Sequence, residues 1–199
     1  AVQEFAFELA EYTGAQYVIP CANGTDALQI SLMAFNLLPG DEVIIQSFTY
    51  TATAEAIALL RLTTVLVDVD PLTFNMDVCK IEEVVTPKTR AIIPVHLFGQ
   101  CADMEPILKI AEKYNMYVIE DNAQSIGSVN TFSDGTKKQA GTMGNIGTLS
   151  FFPTKNLGCY GDCGALLTNN AELAQKLKKI ASHGHSKKYV HAIICCNSR

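Results

Sequence analysis

Three short segments of the 199-residue chain set reactive groups at the ends of apolar runs. The first, Ser150-Phe151-Phe152-Pro153-Thr154-Lys155-Asn156-Leu157-Gly158, puts a lysine just after an aromatic run. An amine drawn out of water favours its neutral form, which attacks a carbonyl to make a Schiff base. Ser150 and Thr154 add hydroxyls nearby, and Pro153 can turn the chain so that Lys155 faces a cleft. The plainer alternative is a lysine that snorkels from a strand end into water. The second segment, Glu120-Asp121-Asn122-Ala123-Gln124, delivers two carboxylates and then an amide. Asp121 falls just past a buried run, where an unpaired carboxylate is costly, so a cationic partner is expected. A protonated pyridine nitrogen would serve and would make its ring an electron sink. A helix cap or a buried ion pair would also satisfy it. The third segment is Ala22-Asn23-Gly24-Thr25-Asp26-Ala27-Leu28. Gly24 permits close backbone approach, Thr25 offers a hydroxyl, and the following helix points free N–H groups at whatever lies there. This is either a phosphate cup or a simple cap made by Asn23 or Thr25.

Together, a phosphate cup, a carboxylate for a ring nitrogen and a strand-end lysine are the parts a pyridoxal 5′-phosphate site requires. The elements that must position them are legible as alternating strands and helices. Strands are expected over 16–20, 42–46, 64–69, 90–95, 116–120, 147–152 and 163–168, several of them near-continuous β-branched runs. Such runs are buried on both faces, as in a mostly parallel sheet covered by helices. Helices are expected over 25–36, 51–61, 77–85, 103–114 and 171–182. In the fourth, Met104, Ile107, Leu108 and Ala111 form an i, i+3, i+4, i+7 stripe, and Asp103 is placed to cap its start. Pro39-Gly40-Asp41 reads as a tight turn. The outcome is an α/β domain of about seven strands, with ligands expected beyond the strands' carboxyl ends.

Composition narrows the function classes. Hydrophobic residues make up 48% and charged residues 18%, a globular balance. Net charge is −5 and no basic cluster is larger than pairs such as Lys178-Lys179 and Lys187-Lys188, which disfavours nucleic acid as a partner. No run reaches the roughly 18 apolar residues of a membrane helix, and the start lacks a signal-peptide layout, so a cytoplasmic enzyme is expected. The seven cysteines are scattered and odd in number, as expected of reduced thiols. Cys159 and Cys163 are spaced too widely for a CxxC redox pair. His183, His185, His191, Cys195 and Cys196 fit no standard zinc spacing, so no metal is assigned. His96, after the strand Pro94-Val95, reads as structural or as a neighbour of the pocket. No GxGxxG follows a first strand, which argues against a dinucleotide-binding dehydrogenase.

The ordered segments NGTDAL (23–28), PGDEVI (39–44), TPKTRAIIPVHLFGQ (86–100), IEDNAQSIG (119–127), SFFPTKNLGCYGD (150–162), HG (183–184) and NSR (197–199) resemble the DegT/DnrJ/EryC1/StrS aminotransferases of nucleotide-sugar biosynthesis. The resemblance implies the large domain of a fold type I, aspartate aminotransferase-like transferase that uses pyridoxal 5′-phosphate. It implies Lys155 as the lysine that bonds the cofactor and moves the substrate proton, with Asp121 as partner of the pyridine nitrogen. Gln124 is implied beside the ring hydroxyl. Gly24, Thr25, Asp26 and Ser150 are implied as phosphate ligands, Tyr50 as an aromatic ring stacked on the cofactor, and Asn197 as a reach into a neighbouring subunit's phosphate site. A homodimer with shared active sites follows from the last assignment. Lys155 also argues against the dehydratase branch, where histidine replaces it.

The expected reaction is transfer of an amino group, from glutamate, to a keto group of a nucleotide-linked sugar. The SFFPTK form of the lysine motif leans toward 3-keto sugars, with a UDP-linked one the first to try. The rivals are another pyridoxal phosphate chemistry, such as a lyase, and a catalytically silent or regulatory protein that binds the cofactor. Departures from the family pattern are Asn122, Cys163 and Ile194-Cys195-Cys196. Residues 1–199 are expected to be most of the cofactor-binding domain, with the small C-terminal domain of the family lying beyond them.

Overall fold

The structure is a computed structural model that describes residues 1–187, 190–191 and 195–198. In chain order the elements are α1 (Val2–Thr13), β1 (Tyr17–Cys21), α2 (Gly24–Ala34), β2 (Glu42–Gln46), α3 (Ala52–Leu59), β3 (Thr63–Val67) and β4 (Thr89–Ile93). They continue with α4 (Met104–Lys113), β5 (Tyr117–Asp121), β6 (Val129–Thr131), β7 (Lys137–Gln139), β8 (Ile146–Ser150), β9 (Gly164–Thr168), α5 (Ala171–Ala181), β10 (His185–Lys187) and β11 (Val190–His191).

The seven anticipated strands form one sheet in the order β1-β9-β8-β5-β4-β2-β3. β2, β3, β4, β5 and β8 are parallel, while β9 runs antiparallel to both of its neighbours, β1 and β8. The apolar runs lack polar alternation because both faces are covered. On β2, Val43 and Ile45 pack with Leu28, Leu32 and Ile57 of α2 and α3, while Ile44 points the other way, toward Ile107 and Ala111 of α4. On β9, Leu166 joins the α2–α5 side with Ile30 and Leu177, whereas Ala165 and Leu167 meet Leu9 of α1. Period-2 alternation therefore splits each strand between two apolar layers. Burying each such aliphatic side chain contributes roughly 1.5–3 kcal/mol.

Four expectations need correction. The stretch 77–85 is not one helix but two 3-10 turns, Val78–Lys80 and Glu82–Val84. Val78, Ile81 and Val84 recur every third residue, which is the 3-10 period. α1 was not anticipated, although Phe5, Leu9 and Thr13 share its inner face; its C-cap is Gly14, with φ 77°. The Asp103 side chain makes no capping bond to α4. The small antiparallel hairpin β6–β7 was also not anticipated. The turn at 39–41 matches its reading: the Asp41 N–H donates to the Leu38 carbonyl at 2.9 Å and Gly40 has φ 89°.

Candidate active site

The carboxyl ends of β1, β5 and β8 and the start of β9 lie along one edge of the sheet, because Cys21 and Ser150 both pair with Gly164, and Asp121 pairs with Thr148. A cleft of about 600 Å³ opens there. It is lined by Gly24, Thr25 and Asp26 from the α2 start, Tyr50 before α3, Asp121 at the end of β5 and Gln124 beyond it, and Ser150 at the end of β8 and Lys155 beyond it.

The α2 start is both of the things its sequence allowed. Asn23 caps the helix, its Oδ1 accepting the Asp26 N–H at 2.8 Å. Gly24 and Thr25 still line the cleft at the positive end of the helix, where an anion is favoured. Two glycines make this packing possible. A Cβ on Gly24 would lie 2.7 Å from Ser150 Cβ, and one on Gly164 would lie 2.5 Å from the Asn23 carbonyl. The cup is thus pressed directly against β8 and β9. The Asp26 carboxylate has its own partner: Ser198 Oγ donates to Oδ2 at 2.6 Å and accepts the Ala22 N–H at 2.9 Å. Sequence reading did not single out Ser198, which is 1% exposed.

The adjacent acids at the end of β5 have opposite surroundings. Glu120 is fully buried and saturated. Its Oε1 accepts the N–H groups of Met143 (2.7 Å) and Gly144 (2.6 Å), and its Oε2 accepts that of Gly141 (2.8 Å) and bonds His96 Nε2 (2.9 Å). Burial disfavours a charged His96, while hydrogen bonds with Cys101 and Glu120 favour one. The Ala102 N–H, 3.0 Å from Nδ1, needs a lone pair there, so the ring is neutral and carries its proton on Nε2. His96 is structural, behind the site rather than in it.

Asp121, by contrast, faces the cleft. Thr53 Oγ1 donates to its Oδ2 at 2.8 Å and the Ala123 N–H to its Oδ1 at 3.2 Å. Burial pushes its pKa up, and these two bonds, with the positive charge of Lys155, pull it partly back. A buried carboxylate so placed is stabilised by a cation in the cleft. Thr53, the second residue of α3, was missed by sequence reading, since a single helical hydroxyl carries no periodic signal.

Lys155 is half-buried at the cleft wall. A turn aims it, with the Lys155 N–H donating to the Phe152 carbonyl at 2.8 Å. Gln124 accepts the Phe98 N–H on Oε1 at 3.1 Å, which fixes the amide so that its NH2 remains for the cleft. Tyr50 is 70% exposed at the rim. Asn197 is exposed and pairs with Ser182, outside the cleft of its own chain. The resemblance assigns it to a neighbouring subunit's site. Among the described residues no group of side chains could hold a metal ion.

The DegT/DnrJ/EryC1/StrS aminotransferase family matches residues 1–199. The chain belongs to this family. Among curated relatives it is 50% identical over 198 residues to a UDP-2-acetamido-2-deoxy-3-oxo-D-glucuronate aminotransferase of Pseudomonas aeruginosa, covering 100% of this chain and 54% of the relative. It is 48% identical to a pleiotropic regulatory protein of Geobacillus stearothermophilus, covering 100% and 52%. Among solved structures, S. venezuelae DesV in complex with a ketimine intermediate superposes with a TM-score of 0.93 at 36% identity, covering 99% of this chain and 52% of that one. The chain spans about half the length of the relatives it matches. Its fold is that of the pyridoxal phosphate-dependent aminotransferases, and the family's cofactor is pyridoxal 5′-phosphate.

The cleft fits that cofactor on grounds of its own. Thr49 Oγ1, in the cleft lining, is buried with no partner among the described residues. Asp121 asks for a cation, the α2 start for an anion, and the Lys155 amine lines the same cleft.

Proposed function

We propose that the protein carrying this chain transfers an amino group, from glutamate, to the keto group of a nucleotide-linked sugar, with a UDP-linked 3-keto sugar as the first candidate. One observation carries the reading: Lys155, Asp121 and the N-terminus of α2 line a single cleft. The 3-keto preference is supported by the SFFPTK segment and by the 3-oxo sugar nucleotide named for the Pseudomonas relative.

Bound pyridoxal phosphate supplies an aldehyde that accepts an amine and a ring that takes up electrons. This chain's residues do the rest. Gly24, Thr25 and Ser150 would hold the phosphate at the helix start, and Thr49 would offer a further hydroxyl. Asp121, fixed by Thr53, would keep a proton on the ring nitrogen. Gln124 would donate from its NH2 to the ring oxygen. Tyr50 would cover one face. The Lys155 amine would hold the cofactor and would carry a proton to and from the substrate carbon. Asn197 would reach the phosphate of a second subunit in a homodimer with shared sites.

Borohydride reduction of the protein with added pyridoxal phosphate, followed by peptide mapping, tests the first step: the label is expected on Lys155. A label on another lysine, or none, rejects the site. Incubation with glutamate then separates the rivals. A transaminase converts the cofactor to its amine form, a lyase does not, and a silent regulator binds the cofactor without turning over.

A further inference from the structure

The hairpin that carries Lys155 also brings together two cysteines that sequence spacing left apart. Phe151 is the clamp. Its N–H donates to the Cys163 carbonyl and its carbonyl accepts the Cys159 N–H, each at 2.8 Å. One residue therefore holds both cysteine backbones, and the chain between them turns through Tyr160, Gly161 and Asp162. Gly161 has φ 147°, in the region that favours glycine, which lets the turn stay tight. The Cys159 thiol donates to the Gly161 carbonyl at 2.9 Å, inside the turn. The two cysteines thus stand at either end of one tight turn, Cys159 half-buried and Cys163 exposed, close enough for the Cys159 thiol to raise the Cys163 pKa.

The other cysteines lack this arrangement. Cys21 is buried, and burial pushes its thiol up to about 12. Cys79 is exposed without such a neighbour in the described turn, and Cys195 and Cys196 are adjacent in sequence.

We propose that Cys159 and Cys163 are a redox-modifiable pair that forms a reversible disulfide across the Tyr160-Gly161-Asp162 turn at the cleft rim. The oxidant is a low-molecular-weight disulfide. The accessible Cys163 thiolate attacks one of its sulfurs, releasing one thiol and leaving a mixed disulfide on Cys163. The Cys159 thiolate then attacks the Cys163 sulfur and releases the second thiol. Two cysteine protons end on two released thiols, and the reagent's S–S bond is exchanged for the Cys159–Cys163 bond. The Cys159 thiol, partial burial and the Asp162 carboxylate hold the Cys163 proton more tightly than usual. The pair therefore reacts slowly and answers sustained oxidation. Asp162 lines the cleft, so the bridge fixes a residue that borders the site.

The test is disulfide mapping of the whole protein that carries this chain, equilibrated with mixtures of oxidised and reduced glutathione, acid-quenched and alkylated. Both cysteines fall on the tryptic peptide 156–176. Under oxidising mixtures more than half of this peptide is expected about 2 Da lighter and unalkylated, reverting on reduction. Cys159→Ser is expected instead to accumulate glutathione on Cys163. A wild-type peptide that stays doubly alkylated while Cys79 becomes glutathionylated overturns the proposal. So does equal accumulation of the Cys163 adduct in wild type and Cys159→Ser. Because the readout is a mass, the result stands apart from whether the protein is an aminotransferase.

Discussion

Replacing Glu120 by glutamine changes one buried oxygen to an NH2 and tests how the site is held. The new NH2 must take one of two places. On the Oε1 side it faces the Met143 and Gly144 amides, both donors. On the Oε2 side it faces the Gly141 amide and the His96 Nε2–H. His96 cannot yield by moving its proton to Nδ1, because the Ala102 N–H already points there. Either placement leaves two buried donors without an acceptor, and each costs about 1–3 kcal/mol. The total, about 2–6 kcal/mol, is a large share of the roughly 5–15 kcal/mol that stabilises a domain. With a urea slope of about 2 kcal/mol/M, the unfolding midpoint should fall by about 1–3 M in far-UV circular dichroism. A midpoint within about 0.3 M of wild type at unchanged slope would refute the saturated network as the anchor of the β5 end.

Asp121→Asn should act in the opposite sense. Burial raises the Asp121 pKa above its unfolded value, so across that window the native state keeps a proton the unfolded chain has released, and stability falls as pH rises from the ordinary carboxylate range upward. Asparagine keeps an oxygen for the Ala123 N–H and can donate to Thr53 Oγ1; without cofactor the variant should be at least as stable as wild type at pH 7, with a flatter pH slope in thermal melts. Thr53→Val removes the donor to Asp121 Oδ2, and a loss of about 1–3 kcal/mol at pH 7 that shrinks as the pH is lowered is expected in urea titrations. Gly164→Ala places a Cβ 2.5 Å from the Asn23 backbone, so about 1–3 kcal/mol of overpacking and at least a ~10-fold weaker uptake of pyridoxal phosphate, followed by absorbance, are expected.

Strand-rich apolar runs such as Glu42–Gln46 and Tyr117–Asp121 were readable because burial on both faces removes polar alternation. The direction of β9 was not, since the same five residues could run either way and only the length and course of the preceding loop decide it. β6 and β7 escaped because neither strand contains a buried residue, and so neither leaves a hydrophobic pattern. At the site, Lys155, Asp121 and Gly24 announced themselves as reactive types at the ends of apolar runs. The different employment of Glu120 did not, because its amide donors come from residues 141–144, on a loop that only the fold brings near. Thr53 and Ser198 were silent for the same reason: a hydroxyl acquires meaning from the carboxylate it meets, and that partner is 68 residues away in one case and 172 in the other.

The reversed direction of β9 has a consequence for what the molecule can tolerate. Residues 151–163 leave the sheet and re-enter it along the same border, so their two roots, Ser150 and Gly164, are the two ends of a single rung of one ladder. The reactive amine hangs from a tethered handle, not from a bridge between layers. Substitutions at its exposed tip, Tyr160 to Asp162, can reshape what it borders without disturbing the helices, whereas Phe151 and Cys159 at its base pack with Leu9 of α1, and slipping the β8–β9 register by one rung would carry the whole handle with it.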